Sequence, residues 1–253
     1  MQDILKSNTP AFVFDTAALK KRVAQIKEIV GETVSLCYSM KANPFFVPAM
    51  ITCVDKLEVC SPGELTICKK LGVDASRIIY SGVNKEIPDI KEAYEYGVGT
   101  FTAESVRQAD LIQQVVETAA AGEKAEVILR LNSGSQFGMS KEDLLTILQC
   151  RESKYTSLNF TGIHYFVGTQ RKRAKRKIKE LQMLLELFEE IQNKYGLKLK
   201  KLEYGPGFAV PYFEDDDFED TLYPVKELKD TLKQVAQQVD LTIEMGRFFT
   251  AEC

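Results

Sequence analysis

Thr33-Val34-Ser35-Leu36-Cys37, running into Tyr38-Ser39-Met40-Lys41-Ala42-Asn43-Pro44, is the stretch around which this chain is organised. Its first five residues are largely apolar and flanked by turn signals, the pattern of a short buried strand. A lysine at the end of such a strand points into the interior or the mouth of a sheet. Burial there disfavours the charged form and lowers the pKa, and a partly neutral amine can attack a carbonyl to form a Schiff base. Taken alone, a lysine that snorkels at a strand end is the plainer reading. Pro44 stops the strand and opens the next helix.

The same strand-then-helix unit recurs along the chain. A short strand over 9–14 lies outside the repeat. Asp15 or Thr16 then caps a helix carrying Leu19, Val23, Ile26 and Val30, closed by Gly31. After the strand ending at Lys41, a helix over about 44–53 leads to a strand over 57–61. A helix opened by Pro62 and stopped by Gly72 leads to 77–82, and a helix over 86–96 leads to 98–102. A helix over 104–121 precedes a strand over 125–132; one capped by Ser140 and ending at Cys150 precedes 158–167. A long helix over about 171–195 precedes 199–204, and a helix within 223–239 precedes 241–244. Strands alternating with helices through short connections imply parallel pairing with right-handed crossovers. Eight such units in 253 residues predict an α/β fold of the closed (β/α)8, TIM-like type. A doubly wound open sheet is the alternative. The expected organisation is an N-terminal segment, 1–14, and one barrel, 15–253, with an irregular insertion at 211–221.

Net charge is −3, which gives no global electrostatic case for nucleic acid or an anionic membrane. No apolar run is long enough to span a bilayer. Six cysteines lack metal-ligand spacing and, with no secretory signal at the N-terminus, read as reduced thiols of a cytoplasmic protein. His164 is the single histidine, which argues against a serine-protease triad or a multi-histidine metal site. No metal site is expected.

In a barrel of this type chemistry gathers at the C-terminal strand ends. Here they carry Lys41; Ser61 and Glu64; Ser81; Thr102; Arg130; His164 and Phe166; Gly205-Pro206-Gly207; and Glu244 with Arg247. Gly205-Pro206-Gly207 follows the seventh strand, where glycines let backbone N–H groups approach an anion, although Gly-Pro-Gly alone is usually a plain turn. Gly168-Thr169-Gln170 precedes a helix whose start also favours a phosphate, although Thr169 can equally serve as its cap. Glu244 could accept a hydrogen bond from a protonated ring nitrogen and Arg247 could hold a phosphate, or the two could simply pair.

Together these motifs resemble the fold-type III (alanine racemase-like) pyridoxal-phosphate decarboxylases, the group containing the diaminopimelate, ornithine, arginine and carboxynorspermidine enzymes. TPAFVFD, YSMKANP, EVCSPGEL, GIHYFVGTQ, YGPGF and EMGR occur in the family's order and spacing over nearly the whole chain. The resemblance implies Lys41 as the internal-aldimine lysine. It implies Glu244 as partner of the pyridine nitrogen, and Gly205, Gly207, Thr169 and Arg247 as phosphate anchors. His164 and Phe166 would pack near the ring, and Arg130 would orient the ring hydroxyl or His164; a structural barrel-interior arginine is as good a reading of Arg130. Catalysis would fall to Lys41, His164 and Glu244, on a basic or diamino acid, with pyridoxal 5'-phosphate as cofactor. Phe166 stands where many members have a second histidine, Thr169 where they have serine, Glu58 where many have aspartate, and Met245 where they have proline. Full-length relatives continue into a β-domain and form homodimers. The resemblance therefore covers the barrel portion, either a piece of a longer protein or one that stands alone.

The alternatives within the fold are a cofactor-binding homeostasis barrel without turnover and an amino-acid racemase; both place arginine near the ring nitrogen, whereas Glu244 argues for decarboxylation. The basic run 171–177 reads as the solvated first turns of an amphipathic helix rather than a nucleic-acid site. The acidic run 214–217 reads as a solvated loop.

Overall fold

The computed structural model describes residues 10, 12–119, 122–213, 215–216 and 218–253. Eight parallel strands close into a barrel in chain order, the last pairing with the first. They are β1 Ser35–Ser39, β2 Lys56–Val59, β3 Ile78–Tyr80, β4 Thr100–Ala103, β5 Ala125–Arg130, β6 Leu158–Phe166, β7 Lys201–Gly205 and β8 Asp240–Met245. The helices are α1 Thr16–Val30, α2 Val47–Met50, α3 Pro62–Lys70, α4 Ile87–Tyr96, α5 Val106–Thr118, α6 Lys141–Gln149, α7 Ala174–Tyr195 and α8 Tyr223–Ala236. This is the closed (β/α)8 barrel that the alternation predicts, and not the open sheet.

Local chemistry sets the boundaries. The Asp15 carboxylate accepts from Ala17 N and Ala18 N and so starts α1. The hydroxyls of Ser61, Ser105 and Ser140 accept the N3 amides of α3, α5 and α6. Gly97 ends α4 in the left-handed region. Strand alternation then divides the side chains between two cores. Outward residues such as Leu36, Tyr38, Leu57, Val127, Ile163, Leu202 and Ile243 join the helices in one continuous apolar cluster. Inward residues stack in layers drawn from alternate strands. Lys56, Thr100, Gly162 and Thr242 form a lower layer, with Lys56 Nζ donating to Thr242 Oγ1 at 2.8 Å. Cys37, Ile79 and Ile128, a small apolar cluster of their own, share the next layer with Glu203. Glu58, Thr102, His164 and Glu244 lie above them, and Ser39, Ser81, Arg130 and Gly205 form the rim.

Several expectations need correction. Of the expected 9–14 strand, Thr9 and Ala11 lie outside the described residues, and 12–14 are not strand. Lys41 is not in a strand but in the 3-10 turn Met40–Ala42 just beyond β1. The segment after it is a 3-10 turn, Pro44–Phe46, followed by the four-residue α2; Pro48 has no N–H to donate back to Pro44 O, so the two do not form one continuous helix. α5 begins two residues later than expected and its last residue is Thr118; Ala120 and Ala121 lie outside the described residues.

The basic run is the larger correction. α7 begins only at Ala174, and two of the cations before and within its first turn face inward. Arg171 is clamped by both carboxylate oxygens of Glu180, which also accepts from Tyr204 Oη at 2.7 Å. Lys177 is 1% exposed and donates to Arg171 O at 2.7 Å. In the acidic run, Glu214 and Asp217 lie outside the described residues, while Asp216 accepts from Tyr212 N and Phe213 N and closes a turn.

Burial, with help from the positive charge of Arg171, pushes Lys177 down to about 8. The folded state therefore binds fewer protons than the unfolded chain between that value and the ordinary lysine range, so this group adds stability as pH rises through the window. We expect stability, measured by denaturant unfolding, to rise between pH 7.5 and 9.5 by about 1–3 kcal/mol more in the wild type than in Lys177→Met. Equal pH dependence of the two proteins would contradict a Lys177 pKa lowered by burial.

Candidate active site

Closure of the barrel brings β1 and β8 side by side, with Cys37 opposite Glu244 and Tyr38 opposite Met245. Lys41 and Glu244, far apart in sequence, meet there. Lys41 Nζ donates to Glu58 Oε2 at 2.7 Å and to Glu244 Oε1 at 3.2 Å, with Cys60 Sγ at 3.8 Å. Ser39 Oγ donates to Glu244 Oε1 at 2.6 Å, and His164 Nε2 lies 3.0 Å from Glu244 Oε2. Glu244 thus has both oxygens engaged, by groups from β1, the turn after it, and β6. The Lys41 side chain is 45% exposed, whereas Glu58 and Glu244 are almost wholly buried. The amine therefore stands at the boundary between a charged barrel interior and an open mouth.

These contacts reverse the expected electrostatics of Lys41. Burial alone would favour the neutral amine, but Glu244 and Glu58 outweigh it and raise Lys41 well above the ordinary lysine value. The two carboxylates separate. Burial and the neighbouring charge of Glu244 raise Glu58. Burial acts the same way on Glu244, yet Lys41 and His164 override it and hold Glu244 well below the ordinary carboxylate range. For His164 burial works towards the neutral ring, and the hydrogen bond to Glu244 with the charge of Glu203 outweighs it, so His164 is raised.

Beyond the amine lies a cavity of about 290 Å³, lined by Lys41, Phe166, Thr169, Gly207, Glu244 and Arg247 among others. Phe166 presents its ring 5.9 Å from Lys41 Nζ. At the far end Arg247 Nη1 is 3.4 Å from Thr169 Oγ1 and also donates to Tyr212 Oη. The loops that follow β6 and β7 are tied together there. Arg171 N donates to Gly207 O at 2.9 Å, and the Gln170 amide exchanges two 2.8 Å hydrogen bonds with the backbone of Val210. Two glycines make this junction possible. A Cβ on Gly207, at φ 58°, would lie 1.7 Å from Gly168 O, and one on Gly205 would lie 2.4 Å from the Phe166 ring.

Of the residues singled out from sequence, Lys41, Phe166, Thr169, Gly207, Glu244 and Arg247 share the cavity, and His164 sits directly beneath it. Gly205 ends β7 under Phe166 and does not line the cavity. Arg130 stands apart: its Nη1 donates to Glu104 Oε1 at 2.6 Å and its guanidinium covers Phe137. Ser61 caps α3, and Ser81 shares a 2.9 Å hydrogen bond with Thr102. Four residues at or beneath the site escaped the sequence reading as functional candidates: Ser39, Glu58, Cys60 and Glu203. For Glu58 and Glu203 the signal was present, since a carboxylate at an inward position of a short apolar strand is rarely placed there without a partner.

The donor set fits pyridoxal phosphate. It offers a lysine amine on the wall, an ionised carboxylate beside it, a flat aromatic face, and an anion-binding end built from a hydroxyl, a close backbone turn and an arginine. The comparisons with known proteins agree. The family "Pyridoxal-dependent decarboxylase, pyridoxal binding domain" matches residues 16–251. The L-glutamyl-[BtrI acyl-carrier protein] decarboxylase of Niallia circulans is 27% identical over 96% of this chain and 61% of its own length. The diaminopimelate decarboxylase of Aquifex aeolicus is 26% identical over 94% and 59%. The crystal structure of lysine decarboxylase from Selenomonas ruminantium superposes with a TM-score of 0.83 at 25% identity, covering 99% of this chain and 65% of that one. The chain spans about 60% of the length of these curated relatives. With the barrel, the cavity and the family match in agreement, this chain belongs to the pyridoxal-dependent decarboxylases, as their pyridoxal-binding domain.

Proposed function

We propose that the chain serves amino-acid decarboxylation, with pyridoxal 5'-phosphate carried on Lys41 and a basic or diamino acid as substrate. The observation that carries this reading is the placement of Lys41 Nζ between Glu58 and Glu244 at the wall of a cavity whose other end holds Thr169 and Arg247. When bound, the cofactor supplies an aldehyde that condenses with an amine and a protonated ring that takes up the electron pair released as carbon dioxide leaves.

The chain's own residues have the remaining work. Lys41 must lose a proton before its nitrogen can attack, and Glu58, 2.7 Å away, is placed to receive it. Burial and the charge of Glu244 raise its pKa, which makes it a better proton acceptor than an ordinary carboxylate. Glu244 stays ionised and is the anionic partner for a protonated ring nitrogen; Ser39 and His164 fix its two oxygens so that its orientation needs no rearrangement. An ionised carboxylate at this position favours withdrawal of electrons into the ring, which supports decarboxylation over racemisation. Phe166 offers a stacking face without a proton to share. Thr169, Gly207 and Arg247 hold the phosphate, on loops locked by Gln170 and Val210. Arg130, paired with Glu104, acts on the mouth's shape rather than on the ring. The diaminopimelate and lysine specificities of the relatives support a diamino acid as substrate. The reading extends to a homodimer, as in the resembled family, and to a reducing compartment, with which six free thiols agree. No helix among the described residues is long and apolar enough to cross a membrane.

Three outcomes are expected. Borohydride treatment with pyridoxal phosphate should attach the cofactor to the peptide containing Lys41, read by mass spectrometry, and Lys41→Ala should abolish the label; labelling elsewhere would remove the assignment. Glu58→Gln deletes a negative charge beside the amine, which lowers the Lys41 pKa. Covalent uptake, followed by absorbance, should then reach half its maximal rate at a pH lower by about one unit, whereas an unshifted profile would show that Glu58 does not control the amine. A panel of lysine, ornithine and diaminopimelate should release carbon dioxide. Labelling of Lys41 without release from any of them would leave a cofactor-binding barrel and discard turnover by this chain.

A further inference from the structure

Glu203 takes part in none of the contacts described for the cavity. It lies on β7 within the barrel, 2% exposed, and both of its carboxylate oxygens are buried without a hydrogen-bond partner among the described residues. The rest of its layer is Cys37, Ile79 and Ile128, which offer it no strong donor. An ionisable group in such surroundings is costly unless something answers it. One other buried group nearby has the same defect. His164 Nδ1 is unpartnered, while the opposite ring nitrogen is committed to Glu244. His164 and Glu203 are register partners on adjacent strands, both facing the barrel axis. Neighbouring strands lie about 4.8 Å apart, so the two orphaned groups stand within the reach of one water molecule.

We propose that Glu203 is a positioning residue for His164: through a single buried water its carboxyl group accepts from Nδ1–H, so that the imidazole is held between two carboxylates, Glu203 and Glu244. A buried water needs two or more polar partners, and a carboxyl group and a ring nitrogen supply them. The arrangement suits a histidine 1% exposed that the hydrogen bond to Glu244 and the charges of Glu203 and Glu244 raise against burial: an imidazolium has two N–H groups to satisfy, and each then has an acceptor. It also gives Glu203 a reason to stand in an apolar layer, where burial pushes it up to about 7 against the opposing charge of His164. The other titratable groups facing this pair are Glu244 on β8, Glu58 and Lys56 on β2, Cys37 on β1 and Arg130 on β5. Glu203 thereby sets the charge of His164, and His164 sets how much of the Glu244 carboxylate remains for Lys41 and for a cofactor ring.

His164 is the chain's only histidine, so histidine-selective 15N labelling reports it without assignment. The measurement is an NMR pH titration of the purified 253-residue chain, with and without pyridoxal phosphate. The cofactor-free arm depends only on the barrel, so it succeeds or fails independently of the decarboxylase reading. In the wild type both ring nitrogens should stay protonated through neutral pH. Glu203→Leu, which matches the apolar layer, should lower the titration midpoint by about one unit or more and leave Nδ1 bare at neutral pH. Glu203→Gln, which keeps an acceptor without a charge, should lower it less, and Glu203→Asp should restore most of the wild-type value. If Glu203→Leu does not fold, the nearly isosteric Glu203→Gln carries the test. Identical midpoints in the wild type and the folded variants, or a wild-type ring with Nδ1 bare at neutral pH, would overturn the proposal.

Discussion

The contact between Lys41 and the pair Glu58 and Glu244 depends on closure of the sheet. An open sheet in the same strand order would leave β1 and β8 at opposite edges, and Glu244 would have no lysine to face. Pairing β8 to β1 places a carboxylate opposite Cys37, four residues before Lys41, and β2 contributes the second carboxylate from the other side. Two carboxylates buried almost wholly from water then face an amine at the edge of the open mouth. In that environment opposite charges interact far more strongly than at a surface, and an unpaired one would be expensive. The site and the closed barrel are therefore one constraint.

The interior is correspondingly divided. The helices and outward strand faces form a large apolar cluster that does the ordinary work of stability. The barrel axis is narrow and unusually polar, holding Lys56, Glu58, His164, Glu203 and Glu244 with only three apolar side chains in one layer. Each of these groups shifts the others, and the shifts have opposite signs on two neighbouring carboxylates: Glu58 rises and Glu244 falls. That separation makes one carboxylate the better proton acceptor while the other stays ionised.

The loops above the barrel show a second division, between charge that binds and charge that builds. Arg247 faces the cavity, while Arg171 and Lys177 are spent on holding the loops that follow β6 and β7 and the start of α7. As residue types in the sequence the two kinds look alike. Gln170, the one described non-glycine residue at positive φ, belongs to the same scaffold, its amide fastened to Val210.

Much of this was legible in the chain itself. Strand and helix alternation, the serine cap at 140 and the glycine stops at 31 and 97 are local effects, set within a few residues by hydrogen bonding and allowed φ, so the eight units could be read directly. Positions such as Lys41, Thr169, Gly207 and Arg247 were also visible, because each follows a strand. The order of the strands in space was only implied by their count. The sign of the Lys41 shift was misread, since burial is evident from a neighbouring apolar run but the two carboxylates that overrule it come from β2 and β8. Ser39, Glu58 and Glu203 went unassigned and the inward turn of Lys177 was missed for the same reason. Electrostatic and hydrogen-bond partners are long-range properties, and only the closed barrel decides which buried charge meets which.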